Sequence, residues 1–294
     1  MRYRIRHQTS LTYAGQVRLA RLNLRLRPVP WPGQRLEQFL LSVTPTPAEI
    51  ETGNGPWLVE RHRITLREGL SHLTIESRMV IEVEDAPSLG LDLAEAPSLD
   101  AVRAAALALP DLSALGPASY LYASPMAAPD ADIAQWAAPL LEDCASVVEA
   151  GKTLMSAIFA QFTYDGSATN VTTTPAQAFA AKRGVCQDFA QVMIVAARAH
   201  GLPAAYISGY LRTRPPEGQP RLVGADAMHA WVALWCGENL GWVGFDPTND
   251  MLAQADHIVI GMGRDYADVA PVDGVFLGGG GQSLGVSVDV EPLD

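Results

Sequence analysis

The segment that decides the fold is GVCQDFAQVMIVAARAH, residues 184–200. Its middle, residues 192–197, is Val-Met-Ile-Val-Ala-Ala, so a helix here is apolar on nearly every side. Such a helix is usually buried in a protein core. His200 in the last turn and Gly201 as a C-terminal cap mark its end. We therefore predict a buried helix that begins at Cys186 and ends at His200.

The elements around this helix complete a mixed core. The apolar spacing over residues 146–163 predicts another helix, and the runs downstream predict strands. Turn-forming residues separate these runs, which favours antiparallel pairing. The three predicted strands cover 204–211, 229–236 and 241–246.

Upstream of the core, the pattern changes to strands. Residues 21–27 alternate Arg or Asn with Leu, and residues 63–67 and 72–79 alternate in the same way between turn signals. Short alternating strands of this kind predict a β-sandwich. The expected fold class is α+β: an N-terminal β-sandwich, then a core whose buried helix packs on an antiparallel sheet.

Four regions follow from these patterns. The predicted sandwich covers residues 1–85, a helical and proline-rich segment covers 86–145, and the core covers 146–255. Residues 256–294 form a C-terminal segment, and alternating valines near its end predict a final strand. That strand could return to pair with the N-terminal sheet.

The charge distribution argues against a nucleic-acid partner. The formal net charge is −11; residues 1–85 contribute +3 and residues 86–294 contribute −14. A protein that binds phosphates needs a cationic face, which this acidic larger part does not provide. An acidic surface could favour basic substrates or could simply be solvated.

The sequence predicts a cytoplasmic protein that does not enter a membrane. No apolar run approaches the roughly 18–20 residues that span a bilayer. In the first six residues, arginine alternates with bulky side chains, so the continuous apolar stretch of a signal peptide is not found there. The three cysteines form an odd set without paired spacing, which is typical of a reducing compartment.

Cys186 is the candidate nucleophile. A thiol reacts as its thiolate, and an ordinary cysteine with a pKa of about 8.5 is mostly protonated at neutral pH. The first turn of a helix presents unpaired N–H groups and the positive end of the helix dipole, which stabilise an anion. These N–H groups could also hold an oxyanion. We interpret Gly184 as the residue that lets the chain turn tightly just before Cys186 and leaves room for a substrate to approach. The alternative is that Cys186 is only a packed small apolar residue.

His229 and Asp246 are the candidate base and its orienting acid. Both lie on predicted strands joined by Gly237-Glu238-Asn239-Leu240-Gly241, which should form a hairpin. A hairpin centred near Gly237 and Glu238 sets the two residues directly opposite on one face, whereas a slip of one residue turns them to opposite faces. Alternatively, Asp246 only starts the Asp-Pro-Thr-Asn turn.

Together these segments resemble the bacterial transglutaminase-like family. The resemblance is close over residues ~145–250, and the combination is specific because each segment matches in order and spacing. It rests on Gly184-Val-Cys-Gln-Asp-Phe-Ala190, Gly201-Leu-Pro-Ala204, Ser208-Gly-Tyr210, His229-Ala-Trp-Val232 and Trp242-Val-Gly-Phe-Asp-Pro-Thr248.

The resemblance implies a papain-like core with an intact triad of Cys186, His229 and Asp246, preceded by a strand-rich domain. It implies a thiol enzyme that acts on amide bonds of a protein or peptide substrate through a thioester, without a cofactor. Hydrolysis is slightly favoured over acyl transfer. Tyr164 is a candidate second oxyanion donor, or else packs beneath the site. The alternatives are a catalytically silent binding module and a β-rich domain that recognises the substrate protein.

The other candidate residues are interpreted as structural. Cys144 and Cys236 would pack, His200 would interact with a helix end, and His257 would take a surface or core role or line the cleft. A zinc site formed by the three triad residues is conceivable, but no paired Cys or His spacing supports it, and we expect no metal. Asp188 would oppose a thiolate and is expected to face away from it. The oligomeric state is left open.

Overall fold

The fold is described from a computed structural model of the chain, which covers residues 1–67, 69–84, 95–213 and 227–293. Its strands are β1 (Arg2–Leu24), β2 (Gln34–Thr44), β3 (Glu49–Asn54), β4 (Glu60–Leu66), β5 (Leu70–Val83), β6 (Thr163–Tyr164), β7 (Arg183–Gly184), β8 (Ala204–Leu211), β9 (Ala227–Trp235), β10 (Trp242–Asp246), β11 (Met251–Leu252), β12 (His257–Gly263), β13 (Val272–Gly278) and β14 (Gln282–Pro292). Its helices are α1 (Leu99–Ala108), α2 (Ala131–Leu141), α3 (Val147–Gln161), α4 (Pro175–Ala181), α5 (Cys186–Ala199) and α6 (Tyr266–Val269). A 3₁₀ turn covers Pro117–Tyr120.

The N-terminal region is one connected sheet built around β1, a strand of 23 residues. The first half of β1 pairs with β5, and its second half pairs with β4. Alternate side chains of β1 are buried, as the period-two sequence pattern predicts. Buried residues of β1, β4 and β5 form one apolar cluster on this sheet.

The C-terminal strands complete the same sheet. β14 runs antiparallel to the first half of β1, and β13 runs antiparallel to its second half. Val288 and Val290 of β14 pack with Tyr210 and Ile258, which belong to the core sheet. β13 and β14 therefore belong to the N-terminal sheet, and β14 packs that sheet against the core.

The connecting segment consists of helices that pack on the core. α1 contacts α3, and α2 contacts both α3 and α5. Ser98 and Asp130 cap α1 and α2 by accepting backbone N–H groups. The expected boundary at residues 85 and 86 lies outside the described residues.

The core is organised around α5. Every residue from Asp188 to Arg198 is buried, and the helix packs against β8 and β9 of a sheet with the order β11-β10-β9-β8-β12. Each large apolar side chain buried here stabilises the fold by about 1.5–3 kcal/mol relative to exposure. The predicted buried helix on an antiparallel sheet, and with it the α+β class, is confirmed.

No helix in the described ranges combines the length and the apolar character needed to cross a lipid bilayer.

Candidate active site

Cys186 is the first residue of α5 and is half-buried. The residue before it, Val185, offers no side-chain cap. Instead, the carboxylate of Asp188 reaches back and accepts the Val185 N–H at 2.8 Å through its Oδ2 atom. The Thr169 hydroxyl donates to the same oxygen at 2.6 Å. Asp188, which is 2% exposed, therefore holds the start of the helix on which Cys186 lies.

Gly184 is needed for space around this carboxylate. A Cβ atom at Gly184 would lie 2.5 Å from Oδ2 of Asp188 and 2.8 Å from its Cβ. Gly184 is not among the glycines with a positive φ and forms the end of β7, so the requirement for glycine here is one of space. It leaves room for Asp188, and that carboxylate then holds the backbone in front of Cys186.

His229 and Asp246 lie on one face of the β9–β10 hairpin. Phe245 pairs with Val232, so continuing this register sets Asp246 across from Trp231, two residues beyond His229. The expectation of a directly opposed pair is therefore wrong by two residues. The hairpin is centred one residue later than predicted because Gly237 and Gly241 both adopt positive φ and close a longer loop. A shift of two residues preserves the face.

The hydrogen bond between the pair is short. Nε2 of His229 lies 2.7 Å from Oδ2 of Asp246. Asp246 is fully buried, which opposes its charge, but hydrogen bonds from His229, His257 and Asn249 outweigh burial and keep its pKa well below the usual range. Its Oδ1 atom accepts the Thr248 N–H at 2.9 Å, so Asp246 also starts the predicted turn.

The imidazole of His229 bonds to Asp246 and lines the same cleft as Cys186. Burial disfavours its charged form, but hydrogen bonds to Asp246 and to Cys186, with their negative charges, raise the pKa of His229 well above its ordinary value. Because Nε2 is bonded to Asp246, Nδ1 is the nitrogen left for the thiol. The structure thus brings together the three residues that the sequence singled out.

Trp231 packs beside His229 and against two glycines of the recognised motifs. The two rings are stacked with their centroids 6.0 Å apart. A Cβ atom on Gly209 would lie 2.5 Å from the Trp231 ring, and one on Gly244 would lie 3.2 Å from its Nε1 atom. Other neighbours are nearer still, because the Gly209 Cβ would lie 2.2 Å from the Ile258 carbonyl oxygen and the Gly244 Cβ would lie 2.6 Å from the Cβ atom of Ala253. The indole is therefore one of several groups that restrict these two positions to glycine.

Tyr164 lies at the rim of the site. It is 60% exposed, on β6, which pairs in parallel with β7 immediately before Cys186. Its ring packs edge-on against Phe189. Burial of part of the ring and the negative charges of Cys186 and Asp188 raise its pKa. The exposure does not fit packing beneath the site, and the donor role stays a prediction.

His257 is the residue whose position the sequence did not reveal. It is 3% exposed, and its Nε2 atom lies 3.1 Å from Oδ2 of Asp246. Its other nitrogen, Nδ1, accepts the Gln254 N–H at 3.2 Å. Nδ1 therefore carries no proton, and Nε2 is the donor to Asp246. No local pattern around residues 256–258 signals this contact.

A metal is disfavoured at this cluster by its hydrogen bonds. One ligand atom each from His229, Asp246 and His257 lie within 4.8 Å of one another, a spacing compatible with an ion. Ligation through Nε2 of His257 would require the proton to move to Nδ1, which faces the Gln254 N–H.

The other singled-out residues lie away from the site. The thiol of Cys144 contacts the Leu140 carbonyl, and that of Cys236 contacts the Leu234 carbonyl. Burial raises the pKa of Cys236 to about 12. His200 contacts the Ala134 carbonyl at 3.0 Å.

A cleft of about 650 Å³ opens over Cys186 and His229. One wall comes from the core and the other from the N-terminal sheet. The sheet wall is largely apolar, and its cleft-lining side chains from β1, β13 and β14 include Leu11, Tyr13, Leu22, Phe276, Leu284 and Val286.

Comparison with known proteins relates both parts of this architecture to one family. Residues 134–247 match the transglutaminase-like superfamily, and residues 3–82 match the bacterial transglutaminase-like N-terminal region. An uncharacterized protein of Mycobacterium tuberculosis is 37% identical over 298 residues, which covers 100% of this chain and 93% of that protein. A protein-glutamine gamma-glutamyltransferase of Pseudomonas aeruginosa is 38% identical over 71 residues, covering 24% of this chain and 10% of that enzyme.

A solved structure shares the whole fold. It is described as a "Putative Cysteine Protease" from Cytophaga hutchinsonii, and the superposition has a TM-score of 0.73 at 19% identity, covering 100% of this chain and 92% of that one. At that identity the likeness shows the fold alone. The Mycobacterium tuberculosis relative, which matches along the whole of this chain, and the two matched regions show that this chain belongs to the transglutaminase-like superfamily.

Proposed function

We propose that this protein is a thiol enzyme that cleaves amide bonds of protein or peptide substrates through a thioester. The observation that carries the proposal is the 2.7 Å hydrogen bond between His229 and Asp246 in the cleft that Cys186 also lines, at the start of α5. A thiolate, a ring that can give and take a proton, and a carboxylate that orients this ring are the parts that such catalysis needs.

The reaction proceeds in two halves. The Cys186 sulfur attacks the substrate carbonyl carbon, and the oxyanion that forms is held by N–H groups at the start of α5. The carbon–nitrogen bond then breaks, the His229 imidazolium gives its proton to the departing amine, and a thioester remains. In the second half, water loses a proton to His229 and attacks the thioester, which releases the acid and restores the thiol.

Two features of the cleft support this choice of substrate and acceptor. Leu284 and Val286 are 63% and 53% exposed along the sheet wall, a length of apolar surface suited to an extended chain. Acyl transfer to a second amine needs exclusion of water, whereas an open cleft admits it. We therefore favour hydrolysis over transfer.

The proposed function is tested by product analysis in ¹⁸O-labelled water with a carboxamide-containing peptide library and dansylcadaverine as a competing amine. Hydrolysis predicts acids that carry ¹⁸O, and acyl transfer predicts dansylated peptides. Cys186→Ala should abolish both products, while the matched control Cys144→Ala should retain them. A wild type that binds peptides but yields neither product would identify a binding module and refute the proposal.

A further inference from the structure

We infer that His257 is a positioning residue that holds the Asp246 carboxylate in line with His229. The inference deepens the proposed function, because a positioned carboxylate matters only if His229 transfers protons. It rests on the hydrogen bond between His257 and Asp246, which joins two strands that are not neighbours in the core sheet.

The first observation is the fixed orientation of the His257 ring. The Gln254 N–H donates to Nδ1, so Nε2 presents its proton to Oδ2 of Asp246. The ring also packs edge-on against Trp231, with the centroids 5.1 Å apart. Because the side chain is only 1% exposed, water has little access with which to replace this donor.

The second observation is the path of the chain. β10 and β12 are separated by β9 and β8 in the core sheet, so they do not pair with each other. The turn at residues 254–257, closed by the bond from the His257 N–H to the Gln254 carbonyl, crosses from β11 to β12. His257 is the first residue of the edge strand β12. Its hydrogen bond to Asp246 therefore links this edge of the sheet to the end of β10.

The third observation is how the Asp246 oxygens are shared. Oδ1 accepts backbone N–H groups of Thr248 and Asn249, which belong to the same turn. Oδ2 accepts from His229, from the Asn249 amide at 2.7 Å and from His257. Among these partners, His257 alone comes from beyond the hairpin and its turn, so it opposes rotation of the carboxylate away from His229.

Within the part of the chain that the structure describes, few charged or titratable groups lie near His257. Asp246 faces it directly, and the His229 ring lies 6.2 Å away between centroids. The neighbouring Asp256 is engaged with the Tyr3 hydroxyl and lies 3.7 Å from the Arg212 guanidinium. The His257–Asp246 contact is therefore the polar link through which this ring acts on the site.

Two variants of the full chain test the inference. His257→Leu removes the donor while keeping bulk, and His257→Gln retains an N–H at the position of Nε2. We expect kcat to fall by about 10- to 100-fold in His257→Leu with KM within about twofold, which is the scale seen for partners that orient metal-ligating histidines. His257→Gln should stay within about threefold of the wild type. His200→Leu, which removes an imidazole away from the site, should not change kcat.

A second readout does not depend on turnover. The imidazole protons of His229, followed by NMR from pH 5 to 10, should titrate at lower pH in His257→Leu and near the wild-type position in His257→Gln. A folded His257→Leu protein with unchanged kcat and unchanged His229 titration would overturn the inference. If the wild type turns over no amide, the proposed function fails, while the titration still decides whether His257 positions Asp246.

Discussion

Asp246 lies diagonally across the β9–β10 hairpin from His229, and its Oδ2 atom is 2.7 Å from the imidazole Nε2. The diagonal pairing works because both residues point to the same face. It also leaves the directly opposed position to Trp231, whose ring stacks on His229. One hairpin thus supplies the proton-transferring ring, its orienting carboxylate and a rigid aromatic neighbour.

Replacing Asp246 by Asn should remove the charge that favours the His229 imidazolium. Since that charge raises the pKa of His229, its loss should move the titration of His229 to lower pH. We expect kcat to fall by about 10²- to 10⁴-fold, measured together with the NMR titration. Asp250→Asn, the same change on the adjacent turn, is the control. An Asp246→Asn enzyme that titrates and turns over like the wild type would refute this role.

Replacing Gly184 by Ala should destabilise the start of α5. The added methyl group would come within 2.5 Å of the Asp188 carboxylate, and overpacking of this kind costs about 1–3 kcal/mol. Urea unfolding measures the free-energy change. Gly166→Ala, which meets nothing within 4 Å, is the matched control and should unfold like the wild type. Equal stability of the two variants would show that the contact with Asp188 is unimportant.

His7 should make the protein sensitive to acid. Burial lowers the pKa of His7 from 6.5 to about 4. Between these values the unfolded chain binds a proton that the folded chain does not, so the stability falls as the pH drops from 6.5 to 4. The loss from this group amounts to at most about 3 kcal/mol.

The His7→Gln variant measures this contribution. Its free energy of unfolding should fall less than that of the wild type between pH 6.5 and 4, as measured by urea titration at each pH. His72→Gln, at an exposed site on the same sheet, should keep the wild-type slope. Parallel slopes for all three proteins would contradict the prediction.

The apolar cleft wall should contribute to substrate binding. Leu284→Asp puts a charge where the proposed substrate chain lies, and we expect KM to rise about tenfold or more with little change in kcat, since one buried apolar contact contributes about 1–3 kcal/mol. Val275→Asp is the control, because Val275 is 70% exposed on the same sheet but does not line the cleft. Identical KM values for the two variants would exclude a role for this wall.

Features with local signals were predictable from the sequence. The apolar run and the stop at Gly201 predicted a helix over 186–200, and α5 is found at Cys186–Ala199. Alternating residues predicted the N-terminal strands. These patterns report burial and turn chemistry within a few residues, so they could be read without the tertiary structure.

Features that depend on distant contacts were not predictable in this way. The hairpin register depends on the positive φ angles of Gly237 and Gly241 together, which residue types alone do not specify. The role of Gly184 depends on the direction of the Asp188 carboxylate. His257 reaches Asp246 only because the chain crosses the sheet between β11 and β12.

The central claim is tested most directly by the rate at which iodoacetamide alkylates each cysteine of the native protein at neutral pH. Cys144 is the fair comparison, because it is half-buried like Cys186 but lies away from His229. We expect Cys186 to be alkylated about tenfold or more faster than Cys144, and His229→Ala to remove this difference. Equal rates for Cys186 and Cys144 in the wild type would contradict the account.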